Sequence, residues 1–291
     1  MPEAGPGSGL RVFGGAVALV TGGASGIGRA LGREMARRGA LVVLADRDGA
    51  DAQAEASRVV SSAGRAEGAA LDVRDAEAVQ SLVADVLARH GRLDFLFNNA
   101  GIGVGGEARE LSLEDWRQAV EVNLMGVVHG VQAAWPRLAA QGFGHVVNTA
   151  SMAAFLPTAM AAPYGATKSA VVGLSRALRV EGAALGLRVS VLCPGVIRTP
   201  ILENGGRHGR VRGFLDAARQ KEMWERLRPM DADDFARRAL DDVARNRAVI
   251  VHPAWWRPVR WLAGALPWLG EAFSRRELAR VRALRGESSS E

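Results

Sequence analysis

One cysteine, Cys193, in 291 residues leaves no partner for an internal disulfide and no set of thiolates for a structural zinc. A reducing, cytoplasmic setting is the expected one. Lysine is nearly as scarce: Lys168 and Lys221 are the only two among 37 basic residues, so arginine carries the formal net charge of +6. These arginines alternate with acids in stretches such as REMARR and DDFARRALDDVARNR, the pattern of a solvated surface rather than of a nucleic-acid stripe, and no nucleic-acid partner is expected. No run of about 18 apolar residues occurs, so no spanning helix is expected. The opening MPEAGPGSGLRVFGG has no basic segment followed by an apolar one, which speaks against a secretion signal. The histidines His90, His129, His145, His208 and His252 show no ligand spacing with one another or with Cys193, and no metal site is expected. Cys193, before Pro194 at the end of an apolar run, reads as a buried small hydrophobe.

What remains is ordinary globular composition, with 48% hydrophobic and 23% charged residues. Seven apolar, β-rich runs recur: AVALVT from Ala16, ALVVLAD from Ala40, AEGAALDV from Ala66, LDFLFN from Leu93, HVVNTAS from His145, LRVSVLC from Leu187 and AVIVHP from Ala248. Each is nearly continuous rather than alternating, as in strands covered on both faces, and the segments between are long enough for crossover helices. The pattern predicts an α/β chain: a single Rossmann-type, doubly wound parallel sheet of about seven strands with helices on both faces. Residues 1–13 and the ESSSE end read as loose termini, 14–252 as the folded catalytic unit, and 253–291 as an amphipathic extension. A Gly- and Arg-rich loop from Thr199 to about Gly213 opens a substrate-side segment reaching to about residue 228, and is expected to be mobile.

The first run enters TGGASGIG, followed by a helix from about Ile27 to Arg38. Gly22, Gly26 and Gly28 there allow a tight turn and close approach of a pyrophosphate to the helix N-terminus. Asp46 ends the second run eighteen residues after Gly28, where a carboxylate can accept from a ribose 2′-hydroxyl and oppose a 2′-phosphate; the same residues also read as a helix start. A second glycine cluster, GIGVGG from Gly101, lacks a helix pattern behind it and reads as a loop. Tyr164, the only tyrosine, stands four residues before Lys168, so both side chains share one helix face. A phenol titrates near 10, and a neighbouring ammonium favours its ionised form, so the pair is suited to proton transfer. Ser151, thirteen residues earlier, ends the fifth run at the sheet edge where ligands bind in such folds, and its hydroxyl can polarise a carbonyl.

Together TGxxxGxG at Thr21–Gly28, NNAG at Asn98–Gly101, Asn123, Ser151, the YxxxK of Tyr164 and Lys168, and PGVIRTP from Pro194 resemble the short-chain dehydrogenase/reductase family over residues 14 to 252. The resemblance implies Tyr164 as general acid/base, Lys168 as its partner and a ribose ligand, Ser151 orienting the substrate oxygen, and Asn123 holding a water between Lys168 and solvent. It implies cofactor contacts from Thr21, Gly22, Ser25, Gly26, Ile27 and Gly28, from Asp72 and Val73 at the adenine, from Asn99 and Gly101, and from Pro194, Gly195, Ile197 and Thr199. A homodimer or homotetramer is the expected assembly. Met152, Ala153 and Ala154 follow Ser151 where the family often has glycine, so a tighter pocket floor is expected. Asp46, with Ser25 and no basic residue in the glycine loop, points to NAD; Arg47 keeps an NADP-linked carbonyl reductase open, and a nucleotide-sensing scaffold of the same fold is the non-catalytic alternative.

The expected substrate is a bulky apolar secondary alcohol or ketone, framed by the 199–228 segment with Phe155, Leu156, Met160 and Trp224. Arg207, Arg210 and Arg212 could instead recruit an anionic group. Beyond Pro253, four of the seven tryptophans (Trp255, Trp256, Trp261, Trp268) fall within fourteen residues. Val259, Leu262 and Leu266 recur at helical spacing, Pro267 interrupts, and Leu269, Phe273, Val281 and Leu284 continue beside Arg275, Arg276, Arg280, Arg282 and Arg285. This reads as a broken amphipathic helix pair whose apolar face covers the substrate cleft, a partner subunit or a membrane surface.

Overall fold

The computed structural model describes residues 9–213 and 217–285. Residues 1–8 and 286–291, and part of the substrate-side segment, 214–216, lie outside the described residues; of the N-terminal stretch 1–13 read as loose, residues 9–13 are described, and Phe13 is buried in the core. Among the described residues nine strands occur in chain order: β1 (Val17–Thr21), β2 (Leu41–Asp46), β3 (Arg65–Ala70), β4 (Phe95–Asn98), β5 (Val104–Gly105), β6 (Gly144–Thr149), β7 (Leu187–Leu192), β8 (Arg210–Val211) and β9 (Val249–Ile250). The helices are α1 (Gly26–Arg37), α2 (Gly49–Ser61), α3 (Ala76–His90), α4 (Leu113–Val120), α5 (Gly126–Gln141), α6 (Ala162–Ala183), α7 (Ala217–Arg226), α8 (Ala232–Ala244), α9 (Trp256–Ala265) and α10 (Pro267–Leu284).

The seven runs anticipated from sequence form one parallel sheet in the order β3-β2-β1-β4-β6-β7-β9. Chain progression reverses between β1 and β4, which opens a crevice at the carboxyl ends of these strands. Hydrophobic residues of α1, α2 and α8 (Leu31, Met35, Val59, Phe235, Leu240) pack on one face of the sheet, against Val20, Leu44, Phe97 and Leu192. On the other face α3, α5 and α6 contribute Val83, Val86, Leu138 and Leu178 against Leu19, Val43, Leu96 and Val189. Continuous apolar strands follow from this double covering. β3 departs from it: as an edge strand containing Glu67 and Gly68 it is only half-buried.

Several elements end where local chemistry requires. Ser112 and Asp115 cap α4 reciprocally, side chain to backbone in both directions. α4 then runs through a π-helical turn, Glu121–Met125, into α5, and this turn buries Asn123. α3 and α5 stop at Gly91 and Gly142, both in the left-handed region that glycine tolerates. The GIGVGG segment is only in part the loop expected, because Val104–Gly105 pairs in parallel with Arg210–Val211 as a second, two-stranded sheet. The helix pair of the extension forms as the periodicity predicts, broken between Ala265 and Pro267.

Candidate active site

β1 delivers the chain to the crevice, where Gly22 (φ +65°) and Gly26 (φ +50°) turn it into α1. A Cβ on Gly22 would stand 2.9 Å from Ala100 Cα, so only glycine lets the two loops approach this closely. Gly28 serves packing: a Cβ there would stand 2.1 Å from the Gly22 carbonyl oxygen. Gly22, Ser25, Gly26 and Ile27 line a cavity of about 1210 Å³, whereas Thr21 and Gly28 lie outside its lining. Thr21 Oγ1 accepts from the Asn99 and Ala100 amides at 3.0 and 3.1 Å. Asn99 Nδ2 donates to the Thr21 carbonyl at 3.1 Å, and its Oδ1 accepts from Thr149 Oγ1 at 3.2 Å. These two side chains fasten the ends of β1, β4 and β6 together.

Asp46 ends β2 with Oδ2 accepting from the Ala24 amide at 3.0 Å and Oδ1 from the Asp48 amide at 3.2 Å, so it braces the glycine loop while facing the cavity. The helix start anticipated as its alternative belongs to Asp48, the N-cap position of α2. Asp72 and Val73 line the same end of the cavity. Hydrogen bonds from the Arg74 guanidinium hold the Asp72 carboxyl below its ordinary range. Arg47, half-exposed, stands 4.0 Å from Asp72.

Ser151, Tyr164 and Lys168 converge at the carboxyl ends of β6 and β7. α6, which carries Tyr164 and Lys168, is pinned to the sheet by a buried polar chain: Asn98 Nδ2 donates to Asn148 Oδ1 and Asn148 Nδ2 to Ser175 Oγ, both at 2.9 Å. Ser151 Oγ accepts from the Ala153 amide at 3.1 Å. Lys168 is buried, its ammonium donates to the Thr149 carbonyl at 2.9 Å, and it stands 5.6 Å from the centre of the Tyr164 ring. Burial pushes the Tyr164 phenol above its ordinary value and the hydrogen bond with Ser151 opposes this. The lysine itself is pushed down to about 8 by burial. Burial is the larger of the two effects on the phenol. Asn123 lies buried in the π-helical turn. Its Oδ1 accepts from the Ile102 amide at 2.8 Å and its Nδ2 donates to the Ile102 carbonyl at 3.0 Å, so its amide clamps the loop after Gly101.

Pro194, Gly195, Ile197 and Thr199 line the cavity from the β7 side. Trp256 packs on Gly195 so closely that a Cβ on the glycine would lie 2.1 Å from the indole nitrogen. Leu156, Met160 and Trp224 line the cavity as anticipated; Phe155 does not and lies beneath the Arg260 guanidinium. Met152 is buried with Val127, Val171 and Cys193 and, with Ala153, lines the cavity. Cys193 is a buried hydrophobe whose thiol burial pushes up to about 12.

The Gly/Arg loop carries ion pairs at its three arginines. Arg207 pairs with Asp48 and Asp51, and Arg212 with Asp115 at 2.6 Å, while Arg210 reaches Asp115 at 3.5 Å. All three arginines expected as anion ligands thus have carboxylate partners. The extension roofs the cavity from the far side: Ser274 Oγ donates to the Pro157 carbonyl at 2.5 Å, Arg282 to Glu107 at 2.8 Å, and Arg285 to Glu110 at 2.9 Å. Among the described residues no group of histidine, cysteine and carboxylate side chains could hold a metal ion.

The model of the short chain dehydrogenase family matches residues 16–208. The chain belongs to the short-chain dehydrogenases. Among its relatives, "Probable oxidoreductase EphD" of Mycobacterium tuberculosis is 41% identical over 197 residues, 67% of this chain but 33% of that protein, so the match spans about a third of the relative's length. "D-threitol dehydrogenase" of Mycolicibacterium smegmatis is 40% identical over 187 residues, 64% of this chain and 72% of the relative. A short-chain dehydrogenase/reductase from Burkholderia phymatum, solved in complex with NAD, superimposes with a TM-score of 0.76 at 33% identity, covering 86% of this chain and 93% of that one.

In this short-chain dehydrogenase, α9 and α10 lie beyond the matched segment, and their place in the site comes from the geometry alone. Sequence reasoning missed the Asn148–Ser175 link that seats α6; two polar residues in otherwise apolar segments were its only signal. Ile201 and Leu202 line the cavity, within the segment read from sequence as framing the substrate.

Proposed function

We propose that this chain is an NAD(H)-dependent oxidoreductase acting on a bulky, apolar secondary alcohol or ketone. The observation that carries the proposal is a single cavity lined by the glycine loop, Asp46, Ser151, Tyr164 and Lys168 and extended by the apolar residues of α9 and α10. The glycine cradle fits a dinucleotide, because Gly22 and Gly26 adopt backbone conformations that leave no side chain between the loop and a pyrophosphate. Bound nicotinamide supplies or accepts the hydride. The protein supplies the proton path and the orientation. Ser151 Oγ, already accepting from Ala153, turns its own proton toward the substrate oxygen. Tyr164, protonated at pH 7, gives its proton to that oxygen in reduction and is left as the phenolate; in oxidation the phenolate takes the proton of the alcohol, and burial, which raises the phenol, strengthens it as that base. Lys168 holds the ribose edge, and Asn123 keeps the Gly101–Gly103 loop in place through Ile102.

Asp46 supports NAD over NADP by opposing a 2′-phosphate. The threitol dehydrogenase relative supports alcohol oxidation, and the cavity's apolar extension supports a larger substrate than a small polyol. The family likeness supports a homo-oligomer, which light scattering tests. A second reading, NADP preference, is favoured by Arg47 alone, half-exposed beside Asp72 and able to swing onto a 2′-phosphate. A panel of ketones and secondary alcohols assayed with both cofactors separates the two. A higher kcat/KM with NADH supports the proposal, and a higher value with NADPH assigns the decisive contact to Arg47.

A further inference from the structure

The roof helices have a second face. Val259 and Leu262 on α9, and Leu266 just after it, line the cavity, while Trp261 lies on the opposite side of α9 and is 70% exposed. On α10, Leu269, Phe273 and Val281 face the cavity, and Trp268 lies away from it, 61% exposed. A roof in contact with water alone has no reason to present two indoles outward, since each leaves a large apolar area hydrated. The inner row is also incompletely covered: Leu262 at 52% and Phe273 at 62% exposed show the cavity to be open along this edge. An apolar rim and an apolar outer face therefore meet at the same place.

Charge distinguishes what covers them. Between Trp256 and Arg285 there are seven arginines and two glutamates, Glu271 and Glu277. Arg282 and Arg285 are used on Glu107 and Glu110, Arg257 leans toward Asp242, and Arg275 pairs with Glu271. Arg260, Arg276 and Arg280 meet no carboxylate among the described residues; Arg280 lines the cavity, and Arg260 lies over the Trp261 ring at 4.9 Å. Exposed tryptophans flanked by arginines without counter-ions are the complement of a bilayer interface bearing anionic headgroups: indoles settle at headgroup depth and guanidiniums pair with phosphates. No helix among the described residues is long and apolar enough to cross a membrane, so the contact is peripheral.

We infer that the outer face of α9 and α10 docks on an anionic phospholipid surface through Trp261, Trp268, Arg260 and Arg276, so that the open edge of the cavity takes its apolar substrate from the lipid. The docking stands on the geometry of the helices; the loading of substrate rests on the function proposed above.

The full chain is mixed with vesicles of phosphatidylcholine alone or with about a third phosphatidylglycerol, and bound protein is measured by sedimentation and by quenching of tryptophan fluorescence with brominated lipid. Binding is expected to the anionic vesicles only, and to fall as salt rises. The double variant Trp261→Ala/Trp268→Ala, whose side chains lie outside the cavity, should bind at least about tenfold more weakly. Its turnover of a small water-soluble ketone should be unchanged. Arg276→Glu should weaken binding by roughly fivefold or more, about one arginine's share of attraction to an anionic surface. Equal sedimentation of the double variant and the wild type overturns the inference. So does absence of vesicle binding together with a dimer that these substitutions dissociate, which makes the face a subunit contact. A protein that binds vesicles but transfers no hydride keeps the docking and removes the proposed function.

Discussion

Replacing Lys168 by methionine should stabilise the protein at neutral pH while abolishing its activity. The ammonium is buried with the Thr149 carbonyl as its acceptor, and burial pushes its pKa down to about 8. An unfolded chain leaves the same lysine at its ordinary value, 10.5. At about 1.4 kcal/mol per tenfold change in proton affinity, that gap corresponds to a cost of about 3 kcal/mol for holding the charge in the folded state below pH 8. Methionine fills a similar volume without the charge but loses the bond to Thr149, worth about 2 kcal/mol for a charged donor. The net expectation is a gain of about 1 kcal/mol at pH 7, or a rise in Tm of about 2 °C for a chain of this size. The sign reverses with pH. Between pH 8 and 10.5 the unfolded state binds the proton that the folded state has released, so wild-type stability climbs and the variant's lead closes. Urea or thermal unfolding of both proteins at pH 7, 8.5 and 10, without cofactor, reads this directly. A variant less stable than wild type at pH 7, or a gap unchanged from pH 7 to 10, would refute the view of Lys168 as a buried charge maintained for function at the expense of stability.

Tyr164→Phe should lower kcat by about a hundredfold or more with little change in cofactor affinity, since the ring remains and only the proton donor is lost; stopped-flow turnover with fluorescence titration of NADH checks both. Leu266→Ala combined with Phe273→Ala should raise KM for large apolar ketones and leave small ones nearly unaffected, which a series of ketones of increasing size measures. His145 is buried against Phe95 and pushed down to about 3, so the folded state stays neutral while the unfolded chain protonates below about 6.5. Stability should therefore fall as pH drops from 6.5 toward 3, and His145→Leu should flatten that fall in Tm measurements at pH 7, 5 and 4.

The parts legible in the sequence were those written in short-range pattern. Continuous runs such as LVVLAD and HVVNTAS mark strands because covering on both faces requires apolar residues at every position. Tyr164 and Lys168 share a face because four residues make about one helical turn. Long-range partnerships leave no such trace. Nothing near Arg207 indicates that Asp48, some 160 residues earlier, will pair with it, and nothing near Gly195 indicates that an indole from beyond the strands will rest on it. The arginines of the Gly/Arg loop were legible as charge but not as paired charge. Likewise, Asn123 was visible as a motif residue, while its attachment to Ile102 depends on the π-helical turn that aims it. The elevated phenol of Tyr164 follows from desolvation, a property of the assembled pocket rather than of the YxxxK spacing.

The two-stranded pairing of Val104–Gly105 with Arg210–Val211 has a kinetic consequence. It makes the Gly/Arg loop a bar across the crevice, fixed at one end by Gly103 and Gly205 and at the other by Arg207 on the first turn of α2. A molecule seated between the glycine loop and Asp46 lies behind that bar, whereas the roofed end of the cavity remains open at its edge. Traffic through the two ends is then unequal. The compound behind the bar should enter first and leave last, which steady-state inhibition patterns of a compulsory order would show. Arg207 stands beside that path in ion pairs with Asp48 and Asp51, so turnover limited by departure should quicken with added salt and slow with added viscosity, while the proton transfer proposed at Tyr164 should respond to neither.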